Sequence, residues 1–226
     1  IEDRVNFFLD NKDWYDKKGI PYQLGLLLSG VPGSGKTSII RAIANKTRRH
    51  IINVNFANIA TASQLKNLFF SEKIVVYTDT SCNQTTTLTI PLNQRIYVLE
   101  EIDSVGDIVR QRINGISKNA LPDELTLGEI LTVLDGTLES PGRMVIMTSN
   151  FPDILDKALI RPGRMDVSVK FGYADRELIV QMYESFFDLK FPRERTDDLP
   201  DELLTAAEVG QVLFRHFKKL NIENII

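Results

Sequence analysis

Residues 30–37 read Gly-Val-Pro-Gly-Ser-Gly-Lys-Thr, the spacing G-x-x-x-x-G-K-[ST]. They follow an apolar run of strand length, Leu24–Ser29, and open a helix expected from about Gly35 to Lys46. In that setting glycines let main-chain amides curl round phosphate oxygens, and the helix N-terminus adds partial positive charge. Lys36 reaches the outer phosphates and Thr37 offers a hydroxyl to Mg²⁺. The candidate nucleotide-binding residues are therefore Gly30, Val31, Pro32, Gly33, Ser34, Gly35, Lys36, Thr37 and Ser38. A glycine-rich turn without a ligand is the competing reading, and the flanking strand and helix weigh against it.

A second apolar run, Ile96–Glu100, ends in two carboxylates, Glu100 and Glu101. At the ligand edge of a parallel sheet Glu100 would bind Mg²⁺ through water, and Glu101 would orient and polarise the attacking water. Asp103 follows, as a further acid or as a cap on the next segment. A third run, Met144–Thr148, leads to Asn150, whose amide could reach the terminal phosphate or the water; Thr148 is a secondary candidate for that place. Arg161 and Arg164 flank a Pro-Gly turn. A guanidinium offered to a transferring phosphoryl group neutralises developing charge. Taken singly, the acids could cap a helix, Asn150 could be a turn residue and the arginines could form surface ion pairs.

These groups need elements to position them. Strands are expected at Leu24–Ser29, Ile51–Asn55, Ile96–Glu100, Met144–Thr148 and from Val167, alternating with helices from Gly35, Thr61 and Thr126. Such alternation implies right-handed crossovers and a mostly parallel sheet. A short helix over Arg4–Leu9 precedes the first strand, and 10–22 reads as a polar, turn-rich approach. Lys73–Ile90 interrupts the alternation as two β-rich runs about a polar turn, a hairpin insertion. After Phe171 only helices are expected, Asp175–Phe187 and Thr205–Lys218, the latter with a Thr205/Glu208 capping box. The expected division is an α/β nucleotide-binding subdomain over 1–172 and a helical lid over 173–226.

The composition of the 226 residues, 43% hydrophobic and 25% charged, excludes disorder and suits one large domain with a small satellite. A net charge of −3 gives no reason to expect a nucleic-acid partner. The basic runs at 46–50 and 215–219 read as cations complementing helix C-termini. Cys82 is the single cysteine, and His50 and His216 lie far apart, which leaves little for a disulfide or a zinc site and fits a reducing, intracellular setting. No apolar run is long enough to span a bilayer. The chain begins at Ile1 rather than Met, so it is expected to be a segment of something longer.

The phosphate loop, the acidic strand end, Asn150 and the stretch ALIRPGRMD (158–166) together resemble the AAA family of ATPases. FLDNKDWYDKKGIPY, TLGEILTVLDGTLESPGRMVIMTSN, LDKALIRPGRMD and TAAEVGQVLF narrow the resemblance to the Bcs-type mitochondrial AAA chaperones, which help assemble respiratory complex III by translocating its Rieske iron–sulfur subunit. The resemblance covers most of the chain. It implies an AAA-type P-loop NTPase fold, five mostly parallel strands flanked by helices plus a C-terminal helical lid. It further implies a homo-oligomeric ring with ATP between neighbours, in which Arg161 and Arg164 act in trans, and a protein substrate. It also implies a mitochondrial inner-membrane setting, reached through segments that this chain lacks. Tyr15 and Ile20 lie where such proteins run against the adenine, with plain packing an equal reading. The chain departs from the pattern at Glu101, where Asp is usual, over 107–123, and in the insertion of about eighteen residues at 73–90.

The leading functional reading is an ATP-hydrolysing ring motor that remodels or translocates a protein. A nucleotide-gated scaffold with little turnover is the alternative from another class, and a DNA-associated loader is third.

Overall fold

In the computed structural model the described residues are 1–79, 84–105, 123, 125–135 and 140–223. Chain contacts divide it into two compact units, one of residues 1–28 and 40–169 and one of residues 29–39 and 170–226.

The chain enters through two helices, α1 (Glu2–Asp10) and α2 (Lys12–Lys18). The second corrects the expectation of an irregular approach. Its charged surface hid a helix whose buried face is a single residue, Tyr15, and which stops where Gly19 adopts left-handed backbone and donates its N–H to the Asp16 carbonyl. Phe8, Tyr15 and Tyr22 pack as an aromatic cluster there, with Phe8 stacked on Tyr22 at 4.5 Å.

Strands β1 (Gln23–Gly30), β2 (His50–Asn53), β5 (Arg95–Leu99), β6 (Arg143–Ser149) and β7 (Val167–Phe171) form one all-parallel sheet in the order β2-β5-β6-β1-β7. The register runs Ile96 against Met144 through Leu99 against Met147. β5 and β6 are buried along their whole length, as strands covered on both faces must be. Helices α3 (Lys36–Thr47), α4 (Ala62–Phe70) and α5 (Leu127–Leu134) alternate with them. α4 opens on a Thr61/Gln64 capping box. Leu27, Leu65, Phe69, Tyr97, Leu99, Ile130, Val133 and Met147 belong to the core of the first unit.

The insertion is a hairpin, β3 (Lys73–Asp79) and β4 (Gln84–Thr89), forming an antiparallel sheet of its own. Its turn, with Cys82, lies outside the described residues, as does 107–122. The hairpin's base is fastened by Arg95, the first residue of β5 and wholly buried. Its guanidinium donates to the carbonyls of Ser71 (2.9 Å), Glu72 (2.7 Å) and Ile90, and more weakly to Leu68. One side chain thus satisfies carbonyls where α4 ends and where the hairpin begins and ends.

In the second unit α6 (Arg176–Phe187) and α7 (Ala206–Glu223) pack through Ile179, Val209 and Leu213. The Thr205/Glu208 box is formed: the Glu208 N–H donates to Thr205 Oγ1 and the Thr205 N–H to Glu208 Oε2.

Replacing Arg95 with Leu removes the guanidinium donors to the Ser71 and Ile90 carbonyls and one of the two donors to the Glu72 carbonyl. The expected loss is about 3 kcal/mol of unfolding free energy, read from urea denaturation; an unchanged midpoint would show that the guanidinium contributes nothing net.

Candidate functional site

The phosphate loop belongs to the second unit. Its bend rests on three glycines with positive φ, Gly30 (137°), Gly33 (78°) and Gly35 (100°). A Cβ on Gly30 would stand 2.0 Å from the Phe171 carbonyl oxygen, so no other residue fits. A Cβ on Gly35 would meet nothing within 4 Å, so there the requirement for glycine comes from the positive φ and not from crowding. Lys36 Nζ donates to the Gly30 (2.7 Å) and Val31 (3.0 Å) carbonyls, which holds the ammonium against the loop. Gly33 is seated against the start of α7: its carbonyl accepts from the Ala207 N–H at 3.0 Å. This donor set, a ring of glycine amides beside a lysine at a helix start, fits a polyphosphate. Among the described residues no group of three or more His, Cys, Asp or Glu could hold a metal. A magnesium ion held partly by nucleotide phosphates needs no such cage.

The acidic pair and Asn150 belong to the first unit. Glu100 and Glu101 follow β5, and Asn150 follows β6, so the parallel register of these neighbouring strands brings them to one carboxyl-terminal edge. Two crossed hydrogen bonds clasp that edge. The Glu101 N–H donates to Thr148 Oγ1 at 2.8 Å, and the Asn150 N–H donates to Asp103 Oδ1 at 3.1 Å. Glu101 has left-handed backbone, φ 49°, unusual for a residue with a Cβ. The Thr148 bond supports that conformation from a buried side chain. Thr148 and Asp103 thus have a role the sequence did not disclose, each holding the backbone of the other strand's functional residue.

Arg161 and Arg164 come together on one carboxylate, Asp135, the residue that caps the C-terminus of α5. Arg164 is a bidentate donor, Nε and Nη2 each 2.5 Å from Asp135 oxygens, and its Nη1 donates to the Ala158 carbonyl. Its side chain is 4% exposed. Arg161 makes one bond to Asp135 at 2.9 Å and is 57% exposed. The two arginines are therefore unequal: one is built into its own chain and the other reaches solvent. The Arg164 guanidinium, with Arg161 in support, holds the Asp135 carboxyl below the ordinary carboxylate range. Only the V-L-D-G ending of an apolar helix pointed to Asp135 in the sequence.

Tyr15 is 2% exposed within the aromatic cluster, and Ile20 is exposed. Both line clefts with Gln23 at the start of β1, at the edge opposite to Glu101 and Asn150. The structure does not bring them together with that edge.

Residues 26–173 match the family described as ATPase family associated with various cellular activities (AAA). The chain is 36% identical over 201 residues to the probable mitochondrial chaperone bcs1 of Schizosaccharomyces pombe, covering 89% of this chain and 39% of that protein. It is 31% identical over 246 residues to the probable mitochondrial chaperone BCS1-B of Dictyostelium discoideum, covering 98% and 50%. Against the human mitochondrial chaperone BCS1 it is 31% identical over 188 residues, covering 83% and 41%. The chain spans half the length of these relatives or less.

Two outcomes test this geometry. Thr148→Val removes the acceptor for the Glu101 N–H at nearly constant volume; turnover is expected to fall by about tenfold or more with nucleotide affinity kept, and Thr148→Ser to recover it. Asp135→Asn leaves Arg164 buried without its counter-charge and should cost about 3 kcal/mol in denaturant unfolding. Because the folded state depresses the Asp135 pKa, its stabilisation is present above the unfolded carboxylate value of about 3.9 and is lost as pH falls through the lower folded value. The acid limb of the stability profile should flatten in Asp135→Asn.

Proposed function

The chain belongs to the AAA family of ATPases, and from that premise we propose that it is the nucleotide-hydrolysing module of a homo-oligomeric ring chaperone that remodels or translocates a protein. Residues 1–172 form the nucleotide-binding subdomain in this reading and 173–226 the lid. Residues 30–38 bind ATP, with Lys36 on the outer phosphates and Thr37 and Glu100 completing the shell of Mg²⁺. Glu101 polarises the attacking water and Asn150 holds it or the terminal phosphate. Tyr15 and Ile20 stay as candidates for the base, supported by the resemblance alone.

The observation that carries the trans arrangement is the position of the arginines within one unit. Arg161 lines a cleft with Gln23, and Gln23 accepts from Arg143 at the first residue of β6. Asn150 lies one residue beyond the other end of that strand. Seven residues at about 3.3 Å each separate them by roughly 23 Å. A guanidinium at the opposite edge from its own acidic pair is placed to serve another copy's phosphates. Arg161, exposed and singly bonded, is the group that transfers most readily to a neighbour, with Arg164 fixing the turn that presents it.

The relatives' names carry chaperoning and a mitochondrial setting into the same proposal, and an inner-membrane setting belongs to it on the resemblance alone. Among the described residues no helix is long and apolar enough to cross a membrane. The net charge of −3 favours a protein over a nucleic acid as the substrate.

Lys36→Ala should abolish retention of Mg-ATP. Glu101→Gln should keep ATP bound while lowering hydrolysis by at least about 10²-fold, which separates a motor from a scaffold that hardly turns over. Arg161→Ala should bind ATP and lose about 10³-fold in turnover. Mixing Arg161→Ala with Glu101→Gln should restore part of the activity, because the intact site of one receives the arginine of the other. Hydrolysis that does not depend on protein concentration, with no restoration on mixing, would overturn the ring reading.

A further inference from the structure

The turn that carries Arg161 is held at its main chain as well as at its side chains. The Arg161 carbonyl accepts the N–H groups of Arg164 (3.1 Å) and Met165 (3.2 Å). Gly163, with φ 87°, gives its N–H to Asp166 Oδ1 at 3.2 Å, and its carbonyl accepts from Gln23 Nε2 at 2.9 Å. Three of these four bonds are made within residues 161–166. The fourth comes from the first residue of β1, 140 positions away.

Gln23 is itself fixed. Its Oε1 accepts from Arg143 Nη2 at 2.6 Å. The same guanidinium, on a residue 2% exposed, donates to the Val133 carbonyl at 2.6 Å and to the Leu134 carbonyl at 2.8 Å. A guanidinium has donors and no acceptor, so the amide must turn its oxygen to Arg143 and its N–H to Gly163. A side chain in this place has to accept at one terminal atom and donate at the other, which a carboxylate cannot do. The charge on Arg143 also polarises the amide and strengthens its outward N–H.

A closed circuit results at the end of α5. From the Leu134 carbonyl one path runs through Arg143 and Gln23 to the main chain of Gly163. From the next residue, Asp135, the other runs to the guanidinium groups of Arg161 and Arg164. Arg164 is enclosed, but Arg161 is 57% exposed, so its reach toward another molecule depends on where the main chain of the turn stands. The bond from Gln23 lies at the surface, where it adds little to unfolding free energy. Its effect is on position.

We propose that Gln23 is the positioning residue for Arg161, setting the turn from which that guanidinium reaches the nucleotide of a second copy. This rests on the reading of Arg161 as a group lent in trans and assigns the residue that aims it.

Gln23→Glu keeps the acceptor for Arg143 and puts a repelling oxygen where the donor to Gly163 was. At a protein concentration where turnover has levelled off, kcat of the intact chain should fall by at least about tenfold, with KM, Mg-ATP affinity and the urea midpoint kept. Mixing with Glu101→Gln should restore turnover, because the Gln23→Glu chain has a complete site of its own and lacks a well-placed arginine to lend. A general weakening of the fold would not be repaired in this way. Gln23→Met, of similar length with neither polar atom, should lose turnover and regain it on mixing in the same manner, with some loss of stability at Arg143; it decides the matter if Gln23→Glu does not fold. Unchanged turnover in the Gln23 variants beside a loss in Arg161→Ala would overturn this inference and leave the trans reading standing. Turnover that mixing restores for Arg161→Ala but not for the Gln23 variants, or a loss of their ATP affinity, would place Gln23 in the service of its own chain's site and overturn it as well. Unchanged turnover in Arg161→Ala would remove both readings.

Discussion

Wherever a helix or strand ends inside a fold, main-chain carbonyls are left that must find donors, and this chain meets the demand with buried guanidinium groups. Arg143 donates to the Val133 and Leu134 carbonyls at the end of α5. Arg164 binds Asp135 at the cap of the same helix and the Ala158 carbonyl. Arg95 collects carbonyls from the end of α4 and from both ends of the hairpin base. Arginine suits the task because its planar fork serves several acceptors at once and stays charged when buried. The end of α5 thereby becomes a fixed point, and the position of Arg161 follows from it through Asp135.

The opposite edge of the sheet uses smaller means. Thr148 and Asp103 each accept an N–H from the neighbouring strand's terminal segment, so the backbones of Glu101 and Asn150 are set by each other's strands. Since β5 and β6 are buried along their whole length, a slip in register would exchange side chains of different shape between two packed faces. The register that protects the core therefore also aligns the polar residues that follow it. Packing and chemistry share one constraint here.

The hairpin adds a sheet of its own between α4 and β5 without disturbing the sheet that carries the acidic pair. Its ends meet at Arg95, where Glu72 and Ile90 are joined through one side chain and through the Ile90 N–H donating to the Glu72 carbonyl at 3.0 Å. An insertion closed at its base asks little of the fold around it, because strand β5 begins after Ile90 much as it would after a tight turn.

Local pattern determined a good part of this protein. Leu24–Ser29 before the glycine-rich loop, the runs ending at Glu100 and Asn150, the hairpin runs and the Thr205 box are legible because each depends on residues near in the chain: apolar runs for covered strands, glycines for positive φ, a hydroxyl and a carboxylate three apart for a cap. Helix α2 is not legible in the sequence because its polar faces outnumber its one buried ring, and that ring is packed against Phe7 and Phe8 of α1 and Tyr22 just before β1. Tertiary structure alone decided that Asp135 holds both arginines, that Arg164 is enclosed while Arg161 is exposed, that Thr148 braces Glu101, and that Tyr15 lies at the other end of the sheet from the acidic pair. Each of these is a contact between segments distant in sequence, where residue type states what a group can do and only the path of the chain states what it meets.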